Sequence, residues 1–173
     1  MNISIRKAMV SDHKLLAEIG AITFYETWRP VNTEEDMQAY MAKSFDLELI
    51  KRDVEDESVN TFFLAMNDNE PIGYAKIRRD RTYDEFKNDR AIEIERIYVL
   101  KSWQDKKIGK LLMDECIRIS LDEKFSWLWL GVNIDNEKAI AFYKKYGFEI
   151  FGEKSFQLGD ANDTDYLMKM KLS

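Results

Sequence analysis

The stretch "ERIYVLKSWQDKKIGK", residues 95–110, joins an apolar, β-branched run to the beginning of an amphipathic segment. The run "IYV" is typical of a strand, and "IGKLLMDECIRISLDEK" repeats apolar residues every three or four positions, as helices do. Between them lie two lysines, Lys106 and Lys107, and a glycine, Gly109. A cationic, glycine-containing junction between a strand and a helix N-terminus is typical of an anion site, most often for phosphate.

The elements on either side of this junction predict a mixed sheet. The strands "AIEIERIYV" and "WLWLGV" flank the helix as a β-α-β unit, so they are expected to be parallel. Before them come the strand "ISIRKA", two or three helices and the hairpin strands "NTFFLAMN" and "PIGYAKIRR"; after them come the helix "NEKAIAFYKKYG" and two closing strands. This order predicts one α/β (α+β mixed) domain over residues 1–173, with a mostly antiparallel central sheet and helices on both faces.

The composition disfavours several classes of protein. The chain carries 26 basic and 32 acidic residues, a net charge of −6, which is unlike a non-specific nucleic-acid binder. A single cysteine, Cys116, and a single histidine, His13, leave no intramolecular disulfide and no cysteine-based metal site, so no metal is expected. No apolar run approaches the ~20 residues that span a membrane, and no secretory signal is recognised, so the cytoplasm is the expected location.

The junction fails two common phosphate-binding templates. The P-loop requires G-x-x-x-x-G-K-[ST], but residue 104 is glutamine and leucine follows Gly109-Lys110; the pattern G-x-G-x-x-G is also absent. What remains, Gln104-x-x-Lys107-x-Gly109, resembles the Q/R-x-x-G-x-G/A signature of the GNAT superfamily of acetyl-CoA-dependent N-acetyltransferases. Lys107 replaces the first glycine of that signature, which keeps an amide and adds a cation but disfavours a left-handed backbone.

A second stretch, "NIDNEKAIAFYKKYGF", resembles the other GNAT hallmark, N-x-x-A-x-x-F-Y-x-x-x-G-F. From the residues alone, Asn136 is a helix cap and Tyr143 is as well explained by burial in the core. The resemblance implies that Asn136 also contacts the cofactor. It implies further that Tyr143 is the general acid that protonates the departing CoA thiolate.

The family resemblance also implies how acetyl-CoA is held. Loop amides at a helix N-terminus bind its pyrophosphate, and its pantetheine enters a gap between two parallel strands, where the backbone of Ile97 and Val99 would pair with it. The residues expected to bind the cofactor are Ile97, Tyr98, Val99, Gln104, Asp105, Lys106, Lys107, Ile108, Gly109, Lys110, Asn136 and Tyr143.

Two acids are candidates for the base that a protonated amine requires. Glu93 and Glu95 lie two positions apart and share a face if their strand is regular. Either can take the proton of the amine through water or simply attract the amine; the alternative is that they face solvent or pair with neighbouring basic residues. Cys116 falls on the apolar stripe of its helix, so direct attack in a ternary complex is expected rather than a covalent enzyme intermediate.

The whole chain resembles the PaiA-type spermidine/spermine N-acetyltransferases, notably in "TFYETWRPVNTEEDMQAYMAKSF", "IEIERIYV" and "SFQLGDANDTDYLMKMKL". The resemblance implies a small-molecule amine, most simply a polyamine, as acceptor. A polycation needs carboxylates and aromatic faces, and the expected acceptor residues are Tyr25, Glu26, Trp28 and Glu34. The alternatives are a protein or peptide N-acetyltransferase and a non-catalytic CoA-binding regulator. The sequence leaves the oligomeric state open and is compatible with a homodimer.

Overall fold

The computed structural model describes residues 1–172, apart from the side chain of Phe156. Within that range the chain forms seven strands and five α-helices. The strands are β1 (Ile3–Lys7), β2 (Asn60–Asn67), β3 (Glu70–Arg78), β4 (Ala91–Val99), β5 (Trp127–Asn133), β6 (Glu149–Leu158) and β7 (Ala161–Lys171). The helices are α1 (His13–Trp28), α2 (Glu34–Ser44), α3 (Leu47–Glu55), α4 (Ile108–Asp122) and α5 (Glu137–Lys145). None of these helices is long and apolar enough to cross a membrane.

The strands form one sheet in the order β1-β2-β3-β4-β5-β7-β6. Every neighbouring pair is antiparallel except β4 and β5, which are parallel and are connected through α4. The predicted mixed, mostly antiparallel sheet with one β-α-β unit is therefore confirmed. Ser173, the last residue of the predicted domain, lies outside the described residues.

The two faces of the sheet carry separate cores. On one face α4 and α5 pack against the sheet, and the buried positions of α4, Ile108, Leu112 and Cys116, recur at the spacing of one helical face. On the other face α1, α2 and α3 bury a second cluster around Phe24, Met37 and Ile50. Below, these are called the α4 face and the α1 face of the sheet.

The parallel pair separates before its strands end. The last paired positions are Ile94 and Leu130, whereas β4 continues to Val99 and β5 continues to Asn133. The ends of the two strands therefore diverge and leave one edge of each without a partner strand. Such an edge offers backbone donors and acceptors to an extended ligand.

A β-bulge at Glu95 sets the direction of the side chains that follow it. Lys76 of β3 lies opposite Arg96 and Ile77 lies opposite Ile94, so Glu95 has no partner residue in β3. A bulge places two successive residues on the same side, and here Arg96 joins Glu95 on the α1 face. The sequence argument assumed a regular strand, so it did not predict this shift.

The bulge coincides with a buried ion network around Lys76. The Lys76 ammonium lies 2.7 Å from Asp53 and 2.7 Å from Glu95, and its side chain is 2% exposed. Lys76→Ala is expected to lower the free energy of unfolding by about 3 kcal/mol, because it removes the buried cation that pairs with both Asp53 and Glu95. Urea denaturation measures the loss. The matched control is Lys7→Ala, which breaks an exposed pair with Glu57 and should cost under about 1 kcal/mol. Equal losses would contradict a structural role for the network.

Candidate active site

A cleft of about 980 Å³ opens where β4 and β5 separate. Its walls are the end of β4, the loop before α4, the end of β5, the first turns of α5 and the last turn of α1. The cleft thus joins the predicted anion site on one side to the α1 face of the sheet on the other. The residues below are described from the loop across to that face.

The loop before α4 presents backbone amides to the cleft. Asp105 and Lys107 both adopt the left-handed conformation, each with φ near 63°. Leu111 donates the first bond of the helix to the carbonyl of Lys107, at 3.2 Å, so the amides of residues 108–110 have no acceptor within α4. Lys107 was expected to disfavour a left-handed backbone, but it adopts that backbone. The geometry fits an anion held by main-chain nitrogens.

The left-handed Lys107 makes glycine the better residue for loop stability. Lys107→Gly removes the steric cost of a Cβ at positive φ and should raise the free energy of unfolding by about 1 kcal/mol, measured by urea denaturation. The variant also loses one cation of the cleft, so its affinity for CoA should not rise in parallel. Lys107→Ala is the matched control, because it removes the cation and keeps the Cβ. A Gly variant no more stable than the Ala variant would show that the loop is not strained.

The charged side chains of the loop contact different partners. Asp105 pairs with Lys138 of α5 at 2.9 Å, and Lys110 pairs with Asp114 at 2.6 Å. Lys106 is not part of the cleft lining; its ammonium lies 4.4 Å from the centre of the Trp103 ring. Of the predicted cofactor residues in the loop, Lys106 is thus the one that does not line the cleft.

The end of β4 forms the opposite wall. Ile97, Tyr98 and Val99 pair with β3 along one edge, and their other edge borders the gap. Gln104 donates a hydrogen bond from its side-chain nitrogen to the Val99 carbonyl at 3.4 Å, which links the loop to the strand. Tyr98 points to the α1 face, where the Trp28 indole nitrogen donates to its hydroxyl at 3.4 Å.

Asn136 and Tyr143 come to the cleft from α5. The Asn136 side chain accepts a hydrogen bond from the Ala139 amide at 3.1 Å, which confirms the predicted helix cap. Tyr143 lines the cleft although it is only 8% exposed. Burial, reinforced by Tyr98 and Cys116, raises the pKa of Tyr143, so its phenol keeps the proton at neutral pH. A buried phenol that lines a cleft can donate that proton to a leaving group.

The two candidate bases lie in different electrostatic environments. Glu93 is 2% exposed and contacts one cation, Arg81, at 3.3 Å. Burial raises the pKa of Glu93, and Arg81 only partly opposes that effect. Glu95 lies 2.7 Å from Lys76 and 3.3 Å from Arg78; burial would raise its pKa, but Lys76 and Arg96 outweigh burial and hold that pKa below its usual value. Glu93 is thus the carboxylate better suited to take up a proton near neutral pH.

Only two of the four predicted acceptor residues line the cleft. Glu26 and Trp28 line the cleft, and the Glu26 carboxylate accepts a hydrogen bond from the Lys101 amide at 2.8 Å. Tyr25 and Glu34 lie outside the cleft lining, where the Tyr25 hydroxyl donates to Glu34 at 2.8 Å and Arg29 pairs with the same carboxylate at 2.9 Å. Tyr25 and Glu34 therefore contact each other rather than line the cleft, and their role in the acceptor site stays a prediction.

Several charged residues of the cleft escaped the sequence argument. Arg81 comes from the irregular segment after β3, Lys154 from β6 and Asp165 from β7, and all three line the cleft. Asp165 is 8% exposed, and burial raises its pKa against the opposing charge of Lys154. The alternation along β6 and β7 could have placed Lys154 and Asp165 on one face, but only strand order brings that face to the cleft. Among the described residues, no group of His, Cys, Asp and Glu is arranged to hold a metal ion.

Comparison with known protein families agrees with this architecture. A model of the acetyltransferase (GNAT) family matches residues 21–148. An uncharacterised N-acetyltransferase of Lactobacillus delbrueckii subsp. lactis is 35% identical over 169 residues, covering 96% of this chain and 97% of the relative. A spermidine N(1)-acetyltransferase of Thermoplasma acidophilum is 24% identical and covers 99% of this chain and 98% of its own length.

Solved structures show the same fold. The PaiA N-acetyltransferase of Thermoplasma acidophilum, in complex with coenzyme A, superimposes with a TM-score of 0.81. The match covers 99% of both chains at 23% sequence identity. At that identity the likeness shows the fold alone.

Proposed function

The chain belongs to the GNAT family of acetyltransferases, and on that basis we propose that it transfers the acetyl group of acetyl-CoA to a primary amine of a polyamine such as spermidine. It is an acetyl-CoA-dependent N-acetyltransferase; the polyamine acceptor and the residue roles are our proposal. The observation that carries the proposal is the cleft at the separated ends of β4 and β5, with free helix amides on one side and the buried Glu93 on the other.

The loop side of the cleft fits the phosphates of acetyl-CoA. The amides of residues 108–110 and the positive end of the α4 dipole converge there, with Lys107 beside them. The backbone of Ile97 and Val99 would pair with the pantetheine along the open edge of β4. An amide of this edge, directed at the thioester carbonyl, would stabilise the negative charge that develops on its oxygen during attack.

Direct attack by the acceptor amine needs one base and one acid from this chain. Primary amines have pKa values of about 10 and arrive protonated, so Glu93 accepts the proton, directly or through water. Tyr143 protonates the departing thiolate. Burial raises the pKa of the Cys116 thiol to about 12, and this side chain is 0% exposed, so an acetyl-cysteine intermediate has no support.

The acceptor half of the cleft supports a cationic substrate. Glu26, Glu93 and Asp165 contribute carboxylates, and the rings of Trp28 and Tyr98 provide faces for cation–π contacts with ammonium groups. The name of the Thermoplasma relative, a spermidine N(1)-acetyltransferase, supports the same class of acceptor. We therefore place spermidine first among the acceptors to be tested.

A second candidate acceptor has its own observation. Three cations, Arg81, Arg96 and Lys154, line the same half of the cleft. The Arg96 guanidinium lies 4.8 Å from the centre of the Phe45 ring, and its charge also acts on Glu95. These cations favour an amine that also carries a carboxylate, as a peptide does.

A panel of acceptors distinguishes the two candidates. Free thiol release is followed with acetyl-CoA and, in separate reactions, spermidine, spermine, a monoamine and a peptide with a free N-terminus and C-terminus. The polyamine proposal expects kcat/KM for spermidine to exceed that for the monoamine and the peptide by at least about tenfold, because each additional ammonium adds a contact to the carboxylates. A peptide preferred over spermidine would replace the polyamine with the second candidate.

A further inference from the structure

Lys154 of β6 brings a primary amine of the protein itself to the point where β4 and β5 separate. Gly131 follows Leu130, the last residue of β5 that pairs with β4. A Cβ added at Gly131 would lie 3.0 Å from Cε and 3.2 Å from Nζ of Lys154. The aminobutyl chain therefore lies across the backbone of Gly131, in the space that a side chain there would fill. Gly131 is open on this side only because it lacks a Cβ.

The register of the sheet explains how Lys154 reaches that position. Lys154 pairs with Asp165 on β7, and Asp165 pairs with Asn133 on β5, so the three share a face. Gly131 is two positions before Asn133 and shares the same face. Trp129, two positions earlier again, pairs with Glu93. Lys154 is thus on the α1 face together with Glu93, the face from which the acceptor amine approaches.

The ammonium of Lys154 is not tied into an ion pair with a carboxylate of the described residues. Its charge nevertheless acts on two acids of the cleft: burial raises the pKa of both Glu93 and Asp165, and Lys154 lowers it. Arg81 of the segment after β3, Glu95 and Arg78 also face Glu93, and Asp163 faces Asp165. Lys154 is therefore close to the acids that can take its proton and has no fixed contact to break.

We propose that Lys154 is a self-acetylation site, where the protein acetylates its own ε-amine when acetyl-CoA is bound and the acceptor is absent. This rests on the acetyl transfer of the proposed function but not on the identity of the acceptor. The same location makes Lys154 a competitor of the acceptor amine, so a bound acceptor protects it.

The step follows the chemistry of any primary amine. The ε-ammonium first loses a proton to Glu93 or Asp165, and the free nitrogen lone pair then forms a bond to the thioester carbonyl carbon. The carbon–sulfur bond breaks, and sulfur leaves with the bonding electrons and takes a proton from Tyr143. The nitrogen loses its second proton, which restores Tyr143 through solvent. The products are Nε-acetyllysine at position 154, free CoA thiol and one proton.

The modification would change the acceptor half of the cleft. Acetylation removes one positive charge beside Glu93 and Asp165, which increases the net negative charge that a cationic acceptor meets. The KM for spermidine should consequently fall after acetylation, whereas a carboxylate-bearing acceptor should bind less well.

The test uses the intact protein. Wild-type protein is incubated with acetyl-CoA alone, its mass is followed over time, and tryptic peptides locate the acetyl group. We expect one acetyl group per chain at Lys154, with a first-order rate constant that does not change with protein concentration. Lys154→Arg should abolish the modification, and Lys144→Arg, a change at an exposed lysine of α5 outside the cleft lining, should leave it unchanged.

The outcomes separate the two proposals. Acetylation spread over exposed lysines at the rate of heat-denatured protein, or no acetylation of the wild type, would overturn the self-acetylation site. Spermidine turnover without modification of Lys154 would overturn this inference alone. Modification of Lys154 with no turnover of spermidine would instead refute the polyamine acceptor and support the site. Added acceptor should slow the modification at least tenfold when it is saturating.

Discussion

Replacing Tyr143 by phenylalanine is expected to lower kcat for acetyl transfer by about 100-fold or more, because general acid catalysis typically contributes 10²–10⁴-fold. Phenylalanine keeps the ring and its packing against Phe142 and Phe148, so the fold should be preserved. The affinity for CoA, measured by calorimetry, should change by less than about threefold, because the hydroxyl acts on the thiolate in the transition state rather than on the bound ground state.

The structure offers a matched control on the same segment of chain. Tyr146 lies three residues later, outside the cleft lining, and its hydroxyl donates to Asp114 at 3.0 Å. Tyr146→Phe removes the same atom without touching the cleft and should keep kcat within about twofold of the wild type. Wild-type turnover in the Tyr143 variant would remove Tyr143 as the acid. Loss of CoA binding in that variant would assign it a binding role instead.

The sheet and its parallel unit could be predicted because each element leaves a local pattern in the sequence. The strand at Trp127–Asn133 is a continuous apolar run, α4 has an apolar stripe, and Asn136 and Gly147 mark the two ends of α5. Gly147 has φ of 94°, which side chains rarely tolerate. Patterns of this kind depend on a few neighbouring residues, which is why they can be read without the fold.

The site could be predicted only where it coincides with such a local pattern. The motif predicted the loop around Lys107 but not its left-handed backbone. A lysine in that conformation is strained, and only contacts with the surrounding fold can hold it there. The contacts of Arg81 and Lys154 with the cleft depend on which strands are neighbours. Tyr25 was predicted from its residue type, whereas its place outside the cleft lining, beside Glu34, follows from the fold.

The difference between Glu93 and Glu95 was equally hidden from the sequence. Both residues contact Arg81, at 3.3 and 3.4 Å, so they share a face as expected. Glu95 is the bulged residue of β4, and it also pairs with the buried Lys76 of the neighbouring strand β3. The spacing of the two acids therefore predicted their face, and the ion pairs determine which one remains available to an acceptor.

Glu93→Gln is expected to lower kcat/KM for the acceptor amine by about 100-fold at neutral pH, because the amide cannot accept a proton. The wild-type enzyme should show an acid limb: as the pH falls through the raised pKa of Glu93, the carboxylate becomes protonated and activity is lost. Since burial raises that pKa, the limb lies at higher pH than an ordinary glutamate would give. The amine's own ionisation, near pH 10, affects wild type and variant alike, so their ratio isolates Glu93.

Arg81→Gln distinguishes a titrating base from a carboxylate that only attracts the amine. Arg81 lies 3.3 Å from Glu93 and lowers its pKa, so its removal should move the acid limb of kcat/KM to higher pH. Glu95 is the control, because Glu95→Gln disrupts the contacts with Lys76 and should lower the free energy of unfolding more than it moves the limb. If the limb stays in place in the Arg81 variant and survives in the Glu93 variant, the proton is taken by another group, and Asp165, the other buried acid of the cleft, becomes the residue to replace.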